Sequence, residues 1–233
     1  MADHGAERSA ELHIPRWAKV LVAVLLVLAV SAMAFAVFQP ITVLPRIRLS
    51  PGYALADQTG SLVTSEDGRG VVTLYSFVPL NCGDTCEEVL STMREVGERV
   101  DDEVDLGDVD FRRVTIVLDA DPSTEAVARA ASAAGAGVGA DTSDWLWLTG
   151  SAADVTNVAG LGFEQPTDPG AYRAGYVIVD GAGTIRGDYR YRTLTDDADK
   201  LVDHLDVLGK EIRQATGIAA FGYEAAHVFA CYP

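Results

Sequence analysis

Residues 71–86 read Val71-Val-Thr-Leu-Tyr-Ser-Phe-Val78-Pro79-Leu-Asn-Cys82-Gly-Asp-Thr-Cys86. The first eight are mostly β-branched or aromatic, with apolar side chains on both alternations. That pattern predicts a strand buried on both faces of a sheet. Pro79 ends it, because proline has no N–H to give to a ladder. Over residues 87–100, apolar side chains fall at Val89, Leu90, Met93, Val96 and Val100, the spacing of an amphipathic helix. A strand therefore hands over to a helix across Cys82-Gly-Asp-Thr-Cys86. Amides in the first turn of a helix point outward without helical partners, and the helix dipole favours negative charge there. A thiol so placed ionises readily and becomes nucleophilic or metal-ligating. Three intervening residues let the two sulfurs close a disulfide or present two thiolates to a soft ion. Copper(I) suits exposed sulfur ligands, whereas zinc usually takes four ligands. The plain alternative is a stabilising disulfide, which over so short a loop constrains the unfolded chain little.

The alternation of elements continues outward from this stretch. Residues 53–63 read as a hairpin turning at Gln58 to Gly60, and 111–118 as a second buried strand. A helix is expected over 123–134, with Pro122 in its first turn and Asp121 as its cap. Residues 135–141 read as a flexible link, 144–149 as a short strand and 151–159 as a short helix. A second hairpin is expected over 175–180 and 184–191, around Gly181-Ala-Gly183. The last helix, 195–216, carries Leu201, Leu205, Leu208 and Ile212 on its apolar stripe, with His204 read as a surface or boundary residue. A hairpin, then βαβα, then ββα is the order of an α/β, thioredoxin-like domain with an added N-terminal hairpin.

The most apolar segment, 20–38, contains no charge, glycine or proline. As a helix it would be roughly 28 Å long, about the thickness of a bilayer's hydrocarbon core. Arg16, Trp17 and Lys19 precede it as a basic and aromatic interface signature. An uncleaved anchor is the expectation, with 1–19 cytoplasmic and the remainder on the outer face. Ala32-Met33-Ala34 and Ala34-Phe35-Ala36 leave a cleaved leader open, and Arg46 and Arg48 reduce the charge contrast across the segment. Residues 39–52, with three prolines, read as a linker, 53–216 as the domain, and 217–233 as an apolar tail.

Thirty-four acidic residues against 18 basic ones give a formal charge of −16. The first 19 residues hold three of each sign, so the excess lies beyond the apolar segment. Nucleic-acid binding is excluded on this ground, since it needs a basic surface. Lysine occurs only at 19, 200 and 210, and an acidic, lysine-poor surface suits solubility at high salt. Three cysteines (Cys82, Cys86 and Cys231) are too few for a disulfide scaffold.

With these features in register, the chain resembles the Sco/SenC family of membrane-anchored cytochrome oxidase assembly factors. The resemblance rests on four blocks. The first is Leu74 through Cys86, and the second Val114-Thr-Ile-Val-Leu-Asp119-Ala-Asp-Pro122-Ser-Thr-Glu125. The others are Trp145-Leu-Trp-Leu-Thr-Gly150 and Val177-Ile-Val-Asp180-Gly-Ala-Gly183-Thr-Ile-Arg-Gly187. It implies a thioredoxin-like fold and copper as the bound ion, held by Cys82 and Cys86. It also implies, as partner, the copper-site subunit of a terminal oxidase.

In the family a histidine before the late strand completes the site. Here Tyr172 stands there, and the four histidines are His4, His13, His204 and His227. Three residues stand as candidates for the third ligand. Tyr172 could ligate through oxygen, or simply pack. His227 and Cys231, four apart, would share a face of a helix. Cys231 could instead pair with another cysteine.

A dithiol needs no histidine for thiol–disulfide exchange, so an oxidoreductase acting on a cysteine-containing extracytoplasmic partner is the second functional reading. A permanent structural disulfide is the third. A peroxidase is disfavoured, because Pro-x-x-x-Thr-x-x-Cys would need threonine where Gly83 stands.

Overall fold

In the computed structural model, residues 15–38, 42–81, 83–137, 144–167, 172–190, 197–214 and 217–229 are described. Two units divide the chain, Met1–Pro40 and Ile41–Pro233. The first unit holds α1 (Arg16–Phe38). Its Arg16–Ala34 portion is long and apolar enough to cross a membrane, and none of it is buried.

In the second unit the elements in chain order are β1 (Arg48–Leu49), β2 (Ala54–Ala56), β3 (Leu62–Thr64), a 3-10 turn (Ser65–Gly68) and β4 (Val71–Val78). Next come α2 (Asp84–Glu103), β5 (Asp110–Val117), α3 (Thr124–Ala133), β6 (Trp145–Leu148) and α4 (Ala152–Val155), which continues as a π-helical segment (Thr156–Gly162). β7 (Tyr176–Val179), β8 (Thr184–Asp188), α5 (Asp197–Arg213) and α6 (Gly217–Phe229) complete the set. Six strands form one sheet in the order β1-β8-β7-β4-β5-β6. β4, β5 and β6 run parallel, while β7 is antiparallel to β4 and to β8. The fold is the thioredoxin-like α/β arrangement expected from the element order.

β4 is central, and its two alternations enter two cores. Val72, Leu74 and Val78 face α2 and α5, while Tyr75 and Phe77 pack with Phe163 and the β5 residues Val114 and Ile116. On α2, Val89, Met93, Val96 and Val100 form the buried stripe. Gly97 leaves room there for a close approach. The Arg113 guanidinium crosses the helix and donates to the Met93 carbonyl at 3.1 Å, and a methyl at 97 would overlap it.

The N-terminal hairpin, β2 with β3, covers the edge strand β6. Ala56 and Thr149 exchange backbone hydrogen bonds of 2.9 and 2.8 Å. Gln58, 1% exposed, then continues the ladder with its side chain. Its Nε2 donates to the Trp145 carbonyl at 3.2 Å, and its Oε1 accepts from the Trp147 amide at 2.9 Å. An open strand edge is thereby closed without another strand.

Several sequence expectations change. The cap of α3 is Ser123, whose hydroxyl accepts from the Ala126 amide at 3.2 Å. Pro122 lies just outside the helix, and Asp121 instead takes a left-handed φ of 50°, a conformation short polar side chains tolerate. Within the segment expected as a linker, Val43 and Leu44 are buried and β1 pairs with β8. A two-residue apolar pair between prolines shows no periodicity, which is why it reads as spacer. The tail after 217 forms α6 through Phe229, with Ala226 buried. His204 is buried at 5% exposure, not a surface residue. It lies three residues after Leu201 and four before Leu208, inside the apolar stripe, and its Nδ1 sits 2.5 Å from the Tyr189 hydroxyl.

Candidate functional site

β4 delivers the chain to the cysteines, and β5 holds the handover in place. The Leu118 amide donates to the Val78 carbonyl at 2.9 Å, extending the β4–β5 ladder by one rung. The Leu80 amide then donates to Oδ2 of Asp119 at 2.6 Å. This carboxylate anchors the loop 39 residues away in sequence, a role that the acidic Asp-Pro turn did not reveal. Gly83 starts α2 at φ 57° and ψ −139°, with no side-chain cap. Nothing crowds the place of a side chain at 83, so glycine is needed there for its backbone freedom.

Cys86 is the third residue of α2. Its amide donates to the Gly83 carbonyl at 3.2 Å, and its sulfur lies 3.2 Å from the Pro79 carbonyl oxygen. Cys86 is disulfide-bonded and packs, partly buried, against the core between the sheet, α2 and α5. Cys82 lies outside the described residues, as does Cys231. Asp84 and Glu87 occupy the first turn of α2, where the helix dipole favours them.

Tyr172 lies at the same end of the sheet as Cys86. Its hydroxyl donates to the Phe77 carbonyl at 3.1 Å, two residues before the carbonyl that meets Cys86 Sγ. Its ring, however, packs against the core on the other face of the sheet, the one built on Tyr75, Phe77 and Phe163. Burial pushes the Tyr172 phenol far above its ordinary range, so the oxygen stays protonated.

His227 is placed elsewhere. Its Nε2 lies 3.0 Å from Oε1 of Glu211 on α5. Glu211 in turn accepts from the buried Arg186 at 2.6 Å, and Arg186 also meets Asp180 at 3.2 Å. Asp180 follows β7, next to the Gly181 carbonyl that accepts from the Gly70 amide just before β4. That is the start of β4, and eight residues of strand put it roughly 23 Å from the cysteine end. The structure therefore does not bring His227 to Cys86. His204 is engaged with Tyr189. Among the described residues, no three His, Cys, Asp or Glu side chains form a metal cage. The arrangement offers a disulfide-bonded sulfur at a helix start, with the carboxylates of Asp84 and Glu87 in the same turn.

Comparison with known proteins adds the lineage. The family model described as SCO1/SenC matches residues 43–184. No curated protein matches the chain. Among solved structures, BsSco is described as a Sco-family cytochrome c oxidase assembly protein with a disulfide switch. It aligns over 71% of this chain and 96% of its own, with a TM-score of 0.57 and 18% identity. A SCO1/SenC family lipoprotein from Bacillus anthracis aligns over 69% and 95%, with a TM-score of 0.56 and 20% identity. Arabidopsis thaliana ScoI with copper bound aligns over 71% and 99%, with a TM-score of 0.53 and 19% identity. At such identities the likeness shows the fold.

Proposed function

Because this chain belongs to the SCO1/SenC family, we propose that it carries copper for assembly of the copper site of a respiratory cytochrome oxidase. The oxidase's copper-site subunit is the proposed partner. α1 serves as an uncleaved single-pass anchor, with the first 19 residues cytoplasmic and the domain on the outer face. Cys82 and Cys86 are the proposed carriers. The observation that bears most weight is Cys86 in a disulfide at the start of α2, where β4 ends. Oxidase assembly in BsSco and bound copper in Arabidopsis thaliana ScoI support the reading. Loading requires the dithiol, so the disulfide first takes two electrons and two protons from an external thiol reductant. Copper(I) then replaces the two thiol protons and is held as a dithiolate.

A second reading has its own support. Cys86 is disulfide-bonded, and a dithiol needs no histidine to exchange disulfides with a partner's cysteines.

One titration separates the two readings. The full chain in detergent, reduced and freed of reductant, is titrated with copper(I) against a chelator of known affinity. Tight, equimolar binding that disappears in Cys82→Ser is the expected result. Absence of binding, together with a dithiol potential in the range of exchange proteins, sinks the copper reading and leaves the oxidoreductase.

A further inference from the structure

α6 carries one carboxylate and one imidazole, and the domain engages both. Arg46 donates to the two carboxylate oxygens of Glu224 at 2.8 and 3.2 Å, and His227 Nε2 lies 3.0 Å from Glu211. Ala226 is buried between them in sequence. Phe221, by contrast, is 80% exposed, more than any other large apolar side chain among the described residues. Positions 218, 225 and 228 fall on the same helical side as 221, and the sequence places Ile, Ala and Val there. A helix side that is apolar and without charge is the mark of an interaction surface.

Chain length decides what lies within reach of that surface. Four residues separate Phe38, the end of α1, from Val43, which is fully buried in the domain. Fully extended, this connection reaches at most about 18 Å. The residues that follow hold α6 in place. Arg46, the eighth residue after α1, grips Glu224, while the Leu44 and Pro45 carbonyls accept from Arg186 at 2.8 and 3.2 Å. Arg186 in turn binds Glu211, the partner of His227. With α1 in a bilayer, the membrane surface stays close to Phe221 at a high effective concentration, an advantage no free partner has. A second copy of the chain is opposed by charge, since the excess of 16 negative charges makes two domains repel. We infer that α6 docks on the membrane surface, with Phe221 inserted among the lipid headgroups. The inference rests on the anchor reading above and adds a second membrane contact to it. A surface helix binds in this way by burying its apolar side at the boundary of headgroups and acyl chains. The groups that hold α6 meet near the start of β4, whereas Cys86 lies past its other end, so docking leaves the cysteine loop open to a partner.

The test uses the full chain reconstituted in phosphatidylcholine vesicles, with the photo-crosslinker p-benzoylphenylalanine in place of Phe221. A control chain carries it in place of Leu62, which is 71% exposed on the hairpin that covers β6, at the opposite sheet edge from β1. Both positions are exposed, so neither replacement disturbs the core. Before irradiation, alkaline carbonate extraction and intact mass establish that the chain is retained in the vesicles with residues 1–38 attached. Lipid adducts are then counted by peptide mass. The expected result is a lipid adduct at 221 about fivefold or more above that at 62. Equal yields at the two positions overturn the inference, and so does a chain-to-chain crosslink as the main product at 221, which would give this face to a second copy. In both cases the anchor reading stands. A chain that washes off in carbonate, or that has lost residues 1–38, removes the anchor reading and the inference with it.

Discussion

The contact between the Leu80 amide and the Asp119 carboxylate joins the cysteine loop to the strand beside it. Its strength follows from its type, since a hydrogen bond to an ionised acceptor contributes about 1.5–3 kcal/mol. Asp119→Ala should therefore lower the stability of the reduced protein by about 2 kcal/mol in urea unfolding. Asp119→Asn, which keeps an acceptor oxygen, should recover more than half of that. Equal losses in the two variants would show that the carboxylate works through something other than the Leu80 amide. At this scale the sequence was legible where chemistry is local. Cys86 beside Gly83 at the start of a helix follows from residue types alone. Asp119 was visible as part of an acidic turn, but its partner is a backbone amide on another strand end, and no spacing rule reaches that far. His204 misleads for a different reason. Its position falls inside the apolar stripe, but a polar side chain invites a surface assignment until its partner Tyr189 is seen.

At the scale of elements, β4, α2 and the βαβ order were readable because their periodicities run over many residues and agree with one another. α6 was not, because Gly217, Gly222 and a run of alanines carry little pattern. What holds it is tertiary. Arg46 donates to both carboxylate oxygens of Glu224 at 2.8 and 3.2 Å, and His227 meets Glu211 at 3.0 Å. The charged groups acting on Glu224 are Arg46 on the segment before β1, Arg186 on β8 and His227 on α6 itself, with Glu211 on α5 sharing Arg46 at 3.7 Å and His227 at 3.0 Å. The Arg46 hydrogen bond, then its charge, hold the Glu224 carboxyl below the usual carboxylate range. A depressed carboxylate stabilises the folded arrangement above its unfolded value of about 4.3, and that contribution fades as pH falls through the folded value. α6 should accordingly loosen below about pH 4. Hydrogen-exchange protection factors for the α6 amides, which divide out intrinsic pH effects, should fall there more steeply than those of β4. In Glu224→Gln the extra steepness should vanish. A Gln variant with an unchanged pH response would assign the loosening to another group.

For the whole molecule, the charge distribution sets two opposing electrostatic effects of different range. Thirty-four acidic side chains face 18 basic ones, and the excess of 16 negative charges falls after the apolar N-terminal segment. Many arginines are already engaged at short range, as in Arg99 with Glu103 at 2.8 Å and with Asp199 at 2.6 Å, or Arg190 with Glu164 at 2.7 Å. Such exposed pairs are worth roughly 0–1 kcal/mol each and act across 4 Å or less. The unmatched acids repel one another across the whole domain. At 0.01 M salt the screening length is about 30 Å, so this repulsion operates in full, and at 0.15 M it shrinks to about 8 Å. The first addition of salt therefore removes long-range repulsion while leaving contacts within 4 Å largely in place. The urea midpoint of the reduced chain in neutral, uncharged detergent should rise between about 0.01 and 0.15 M sodium chloride. It should flatten toward 1 M, where the screening length falls to about 3 Å and the ion pairs weaken as well. A midpoint that falls steadily from the lowest salt would mean that the short pairs outweigh the acidic excess, and that this surface gains nothing from salt.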